Sequence, residues 1–393
     1  MTTTLLLCAP APVIDAPLGY RLDVKFVEGM RAHVRAWGGP VHCVLWRGAP
    51  GIPFGRDYLP AELDFELTVL PPGAEVPASA LVGVAVAMVS ADQAEFPAVM
   101  AAAARAGVPA VAGIEYTAET RLQIIRLDRG IGPLRKLRRA LWLWRQERRT
   151  RALFRSAAGL QCNGFPAFDA YRGLSAAPLL YLDNRMAPAL FATSDEMATR
   201  AARLRAGAPL RLIHSGRLEP MKGAQDLVPV MRALARAGVD ATLDVYGSGS
   251  LVPELRAALP EFDGRLRLHD PVDFETELVP ISRTQADVFL SCHRQSDPSC
   301  TYLEAMGCGL ALVGYDNRMW ARLSAESGCG LVEPMGRTQA LARAIASLDR
   351  DREALIGHAQ TGLDFARAHD FEAEFARRMA HLRTCAGQKP SVN

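Results

Sequence analysis

The feature that most constrains this chain is an alternation that runs along it twice. Short apolar runs, Leu5–Cys8, Val41–Trp46, Val82–Val89, Val108–Ile114, Gly159–Cys162 and Leu179–Leu182, read as strands. Between them lie alanine- and arginine-rich stretches of helical period, such as Asp23–Ala36 and Pro97–Ala106. The pattern restarts with Leu210–His214, Thr242–Tyr246, Leu266–Leu268, Val288–Ser291 and Ala311–Val313, spaced by helices such as Ala224–Ala237 and Thr301–Cys308. Strands that alternate with helices demand crossovers, hence a parallel sheet covered on both faces. The expected fold is therefore α/β, with two Rossmann-like doubly wound domains that face each other across a cleft. The expected boundaries are 1–190, 205–367 and a C-terminal helix and tail at 368–393. The seam falls between Asn184 and Pro209, around Pro188 and the polar helix Ser194–Arg205.

A length of 393 residues suits two domains, and 49% apolar with 22% charged residues suits a globular core. A net charge of only +3 argues against a uniformly basic nucleic-acid binder. Four lysines stand against 45 basic residues in all, which with the abundant alanine points to a GC-rich, bacterial gene. The eight cysteines form no CxxC pair and no zinc-like cluster, so reduced buried thiols are expected, and no metal site. The MTTTLLLCAPAP start lacks a basic n-region. The longest apolar stretch, Ala78–Ser90, is shorter than the roughly 18 residues a span needs. A cytoplasmic location is the expectation.

The second half holds the strongest chemical signal. Ser215-Gly216-Arg217 and Lys222-Gly223 follow the strand Leu210–His214, and Gly247-Ser248-Gly249 follows the next strand. Ser296-Asp297-Pro298-Ser299-Cys300-Thr301 leads into a helix that carries Glu304. This set suits a diphosphate. Ligands bind beyond the carboxyl ends of strands, Arg grips phosphate with two donors, and Lys adds a point charge. A helix opening at Ser299–Thr301 offers free N–H groups, Gly216, Gly247 and Gly249 allow close backbone approach, and Glu304 can accept ribose hydroxyls. Taken singly, each has a plainer reading: a turn, a solvated side chain, an exposed helix residue. Asp349-Arg350-Asp351 resembles a metal-binding triplet, but a helix cap explains it better. His293 fits a packed or capping role as well as a ligand-facing one.

These motifs, over about Leu210 to Pro334, resemble the family-4 glycosyltransferases. The resemblance implies the GT-B fold and a retaining, metal-independent transfer of sugar from a nucleotide-diphosphate sugar, with no cofactor. It implies that Arg217 and Lys222 bind the donor diphosphate and that Glu304 holds the ribose. The family's first glutamate would stand at Ser296, so Asp297 beside it is the carboxylate expected to reach the sugar. In the first half, Gly19 is the single glycine where the family has a glycine-rich loop near the phosphates. Glu115, after Val108–Ile114, is the candidate to bind or activate an acceptor hydroxyl; the alternative is a loop residue before a Thr117 cap. Two other readings stand beside transfer: a nucleotide-sugar epimerase of the same fold, and a non-catalytic nucleotide-sugar binding protein.

The segment Leu134–Arg155 holds nine basic residues against one acid, Glu147, a net +8 in a chain of +3. Leu134, Leu137, Leu141 and Trp144 recur at helical spacing, with Trp142 beside them. A basic amphipathic helix with tryptophans predicts contact with an anionic membrane surface; the plain alternative is a packed helix with a solvated arginine face. A glycan or lipid-linked acceptor fits the first reading.

Overall fold

The computed structural model describes residues 3–48, 51–52 and 55–387. The chain forms two compact units that interleave in sequence. One comprises the chain up to Thr117, Trp142–Tyr181 and the segment from Glu374 on; the other comprises Ala118–Leu141 and Leu182–Ala373.

The first unit is built on a seven-stranded parallel sheet. Its spatial order is Pro178–Tyr181, Gly159–Asn163, Ala110–Ile114, Val84–Ser90, Thr4–Cys8, Val41–Trp46, Glu66–Leu70. Order reverses at Thr4–Cys8, which pairs with Val41–Trp46 on one side and Val84–Ser90 on the other. Central strands are buried on both faces, which is why they read as unbroken apolar runs. The expected helix near Asp23–Ala36 runs Val24–Trp37: the Asp23 carboxylate accepts from the N–H groups of Lys25 and Phe26, and Gly38 ends it in the left-handed region. Leu6, Val44, Val89, Phe96, Ile114 and Phe154 belong to the unit's core.

Sequence reasoning missed a small antiparallel sheet of Val13–Ala16, Gly19–Asp23 and Gly55–Tyr58. The segment after Thr4–Cys8 is therefore a hairpin and not the expected open loop. Pro10, Pro12 and Pro17 punctuate it, and its mixed polar residues hide the period of two.

The second unit carries a six-stranded parallel sheet: Leu266–His269, Ala241–Tyr246, Leu210–Ser215, Val288–Ser291, Ala311–Tyr315, Leu331–Glu333. Its core includes Leu212, Leu243, Leu290, Val313, Leu341 and Ile345. The expected helix Ala224–Ala237 begins as a 3-10 turn, Ala224–Asp226, and becomes α-helical over Leu227–Arg236. Thr193 and Glu196 close a capping box on the helix Ser194–Arg205. Asp351 accepts from Ala354 N–H and caps Arg352–Ala368, the role expected for the Asp-Arg-Asp triplet.

Candidate active site

In the second unit the singled-out residues gather at the carboxyl ends of three adjacent strands, Ala241–Tyr246, Leu210–Ser215 and Val288–Ser291. Lys222 ends a 3-10 turn, Pro220–Lys222, and is buried. Gly223 follows with a φ of +73°, and a Cβ there would strike Cys292 O at 1.7 Å. Only glycine lets this turn lie on the loop after Val288–Ser291. That contact brings Lys222 Nζ into an ion pair with Asp297. Both side chains are under 10% exposed, at 9% and 8%. The pair uses Asp297 Oδ2; Asp297 Oδ1 is buried with no hydrogen-bond partner among the described residues.

Arg217 differs. It is exposed, and among the described residues its guanidinium makes no ion pair or hydrogen bond. Gly216 beside it has a φ of +144° with open space around a notional Cβ. Gly247 and Gly249 have φ of +149° and +157°; a Cβ on either would meet Gly216 O at 1.9 Å or Leu218 O at 2.4 Å. These two glycines seat the turn against the Gly216–Leu218 backbone, a contact within the protein that the sequence could not reveal.

The helix opening expected at Ser299–Thr301 is present as Thr301–Gly307, with Cys300 as its N-cap and no side chain capping it. First-turn N–H groups have no intrahelical acceptor. Ser299 Oγ and Thr301 Oγ1 bond each other at 2.9 Å. Glu304 lies in the first turn, buried, and two bonds from Arg185 hold it: Nε at 2.7 Å and Nη2 at 3.0 Å. The Arg185 guanidinium also lies 3.7 Å from the Phe274 ring centroid. Sequence reasoning did not single out Arg185. Its one signal was its place directly after the strand-like run that ends at Leu182.

Ser296, where the resemblance places a glutamate, is buried and spoken for. Its hydroxyl accepts from Arg318 N–H at 3.1 Å and from Gln123 Nε2 at 3.4 Å, and its N–H donates to Gln123 Oε1 at 2.8 Å. Neighbouring Gln295 is buried with both amide atoms unpartnered among the described residues. Below this loop lies a packed histidine pair. His214 Nδ1 donates to Leu290 O at 2.9 Å, and its ring centroid is 6.3 Å from that of His293. Burial, aided by the Lys222 cation, pushes His214 down to about 4 and His293 well below the usual imidazole range. His293 is packed, its Nδ1 within 3.4 Å of Tyr302 OH.

In the first unit, Gly19 sits in the antiparallel sheet, where a Cβ would strike Tyr58 O at 2.2 Å. Its visible role is close strand packing. Glu115 follows Ala110–Ile114 and lines a cavity of that unit; its N–H donates to Asp92 Oδ2 at 2.9 Å. Seven of the eight cysteines are buried, and Cys300 is partly exposed. Among the described residues no group of three or more His, Cys, Asp or Glu is placed to hold a metal.

Known proteins share the fold. Chains of like fold include a crystal structure of Anabaena HepE in complex with UDP, at TM-score 0.62 and 16% identity, covering 97% of this chain and 99% of that one. A glycosyltransferase from Rickettsia africae aligns at TM-score 0.67 and 8% identity over 98% of this chain and 99% of that one. The fold is thus GT-B. Residues 209–351 match the family model described as Glycosyl transferases group 1. The resemblance read from the motifs is borne out there. A phosphatidyl-myo-inositol mannosyltransferase of Mycolicibacterium smegmatis is 25% identical over 170 residues, 43% of this chain and 43% of that protein's length.

Proposed function

We propose that the protein is a retaining glycosyltransferase, moving a sugar from a nucleotide-diphosphate sugar to a glycan or lipid-linked acceptor in bacterial polysaccharide or glycolipid synthesis. One observation carries the reading. Inside the matched region, an unpaired, exposed arginine stands five residues before a buried lysine at a strand's carboxyl end. Arg217, Lys222 and the N–H groups opening Thr301–Gly307 would meet the charge that develops on the leaving diphosphate. Cationic side chains would then do the work a metal does elsewhere, and activity should survive a chelator. Asp297 Oδ1, unpartnered among the described residues, would accept from a sugar hydroxyl, and Glu304, held by Arg185, would accept from the ribose through the lone pairs Arg185 leaves open. UDP-sugars are the first donors to try, because the HepE structures hold UDP and UDP-glucose.

Arg217→Ala decides the matter, because an exposed unpaired side chain can be removed without harming the fold. It should cost about 2 kcal/mol or more in kcat/KM, the scale of one lost electrostatic donor. Unchanged turnover at limiting donor would remove Arg217 from the site. UDP should raise the melting temperature by mass action. Proton NMR of the product reads retention directly.

The same reading includes peripheral membrane contact through the helix Pro133–Ser156. Among the described residues no helix is long and apolar enough to cross a membrane. Leu134, Leu137, Leu141, Trp142 and Trp144 are all exposed, at 53% or more, among the basic residues of this helix. An exposed apolar stripe inside a +8 segment favours an anionic lipid surface over a merely solvated arginine face. A lipid-linked acceptor, of the kind the mannosyltransferase's name describes, would suit such docking.

A further inference from the structure

The carboxyl ends of Thr4–Cys8, Val84–Ser90 and Ala110–Ile114 surround a cavity of about 250 Å³ in the first unit. It opens where strand order reverses, the place where doubly wound sheets take ligands. Phe26, Met30 and Met88 give it an apolar wall.

Arg378 reaches this cavity from the terminal helix Phe371–Ala386. Its Nε donates to Gln161 Oε1 at 3.0 Å, and Gln161 Nε2 donates back to Arg378 O at 2.9 Å. The guanidinium lies 4.3 Å from the Tyr181 ring centroid and 5.6 Å from that of Phe375. Its Nη2 meets only the Met88 sulfur, at 3.9 Å, and among the described residues no carboxylate pairs with it. A guanidinium fixed on one edge, stacked on rings and facing a cavity keeps its remaining N–H donors for a ligand. Beside it, His33 Nδ1 donates to Gly29 O at 2.8 Å, which leaves Nε2 a bare acceptor. That Nε2 is buried and, among the described residues, has no partner. A fork of donors next to a lone acceptor matches an oxyanion with a neighbouring hydroxyl. Asp92 and Glu115 also line the cavity, so a second negative charge would be repelled there while sugar hydroxyls would be accepted.

We infer that this cavity binds a singly charged acidic sugar, a carboxylated one, with its carboxylate on Arg378 and a hydroxyl on His33 Nε2. That the ligand is the acceptor rests on the transferase reading above; that it binds does not.

The test is calorimetric titration of the full chain with glucuronate, glucose 6-phosphate and glucose. Glucuronate should bind about tenfold or more tightly than glucose and than glucose 6-phosphate, whose second negative charge the cavity repels. Arg378→Gln should erase that preference. Arg378 also braces the terminal helix, so Gly29→Leu is the second variant: Gly29 lines the cavity, and a Cβ there meets nothing within 4 Å. Leucine should fill the cavity and abolish anionic-sugar binding with the melting temperature and UDP binding unchanged. Equal affinity for glucose and glucuronate overturns the inference, as does tighter binding of glucose 6-phosphate than of glucuronate, or a preference that survives Arg378→Gln or Gly29→Leu. Anionic-sugar binding without any transferase activity would overturn the transferase reading and leave this site standing.

Discussion

At the residue scale, Lys222 and Asp297 must be treated as one unit. Each neutralises the other where water is scarce, so removing one strands the other. Lys222→Met should lower stability by about 3–5 kcal/mol, the cost of an uncompensated buried charge. Adding Asp297→Asn should restore most of that loss while turnover stays absent in both variants. Urea unfolding of the two singles and the double reads the coupling; additive losses would mean that the pair contributes nothing as a pair. Ligand selectivity separates the two carboxylates. Glu304→Gln should weaken free nucleotide and nucleotide sugar alike, because ribose is common to both. Asp297→Asn should weaken only the nucleotide sugar, and calorimetric titration of both ligands distinguishes these outcomes. Arg185 fixes the orientation of the Glu304 carboxylate with two hydrogen bonds.

At the scale of elements, two helices lend themselves to prediction. The helix Pro133–Ser156 buries only Leu143 and Phe154 among its large apolar residues, so its stripe can be changed without unfolding it. Replacing Leu141, Trp142 and Trp144 together by alanine should reduce binding to anionic vesicles about tenfold or more, at unchanged melting temperature. Binding by the unaltered protein should fall as salt rises, through screening of the basic residues. Equal binding to neutral vesicles would point to the apolar stripe alone. The terminal helix Phe371–Ala386 packs into the first unit through Met379, Leu382 and Cys385, and His381 Nε2 faces Ala177 O at 3.0 Å. Leu382 is 0% exposed, so Leu382→Ala should cost about 2–5 kcal/mol in thermal or urea unfolding.

For the whole molecule, buried histidines contribute to the loss of stability in acid. Burial, with the nearby Arg378 cation, pushes His33 down to about 3, and burial pushes His214 down to about 4. In the unfolded chain both take up a proton as pH falls through about 6.5. The folded state does not until pH reaches about 4 or lower. Below pH 6.5 the unfolded state therefore binds more protons, and stability falls by about 1.4 kcal/mol per pH unit for each histidine, levelling off once pH passes the folded values. The loss affects both units, since His33 lies in one and His214 in the other. His214→Phe should flatten the decline between pH 6.5 and 4 by one proton's worth, measured as urea midpoints at each pH.

The alternation of strands and helices was legible because a sheet covered on both faces forces unbroken apolar runs. The place of Arg217 and Lys222 beyond Leu210–Ser215 was legible because both follow that strand within seven residues. The basic helix was legible because charge and period are local properties. What lay beyond the sequence depends on contacts between residues far apart in it. Asp297 meets Lys222 across 75 positions and Arg185 meets Glu304 across 119; no local pattern records either pairing. Gly247 and Gly249 looked like a ligand-facing turn, yet their crowding is against Gly216 and Leu218, a fact of backbone approach. Gly19 looked like part of a loop until Gly55–Tyr58 paired with its strand. Gln161 and Arg378, 217 positions apart, meet only because the chain's last helix returns to the first unit. Sequence by itself determined the layers and which charged residues follow the strand ends. Tertiary structure alone decided which of those charges is already neutralised and which stays open, because burial and pairing follow from distances in space that spacing in sequence does not encode.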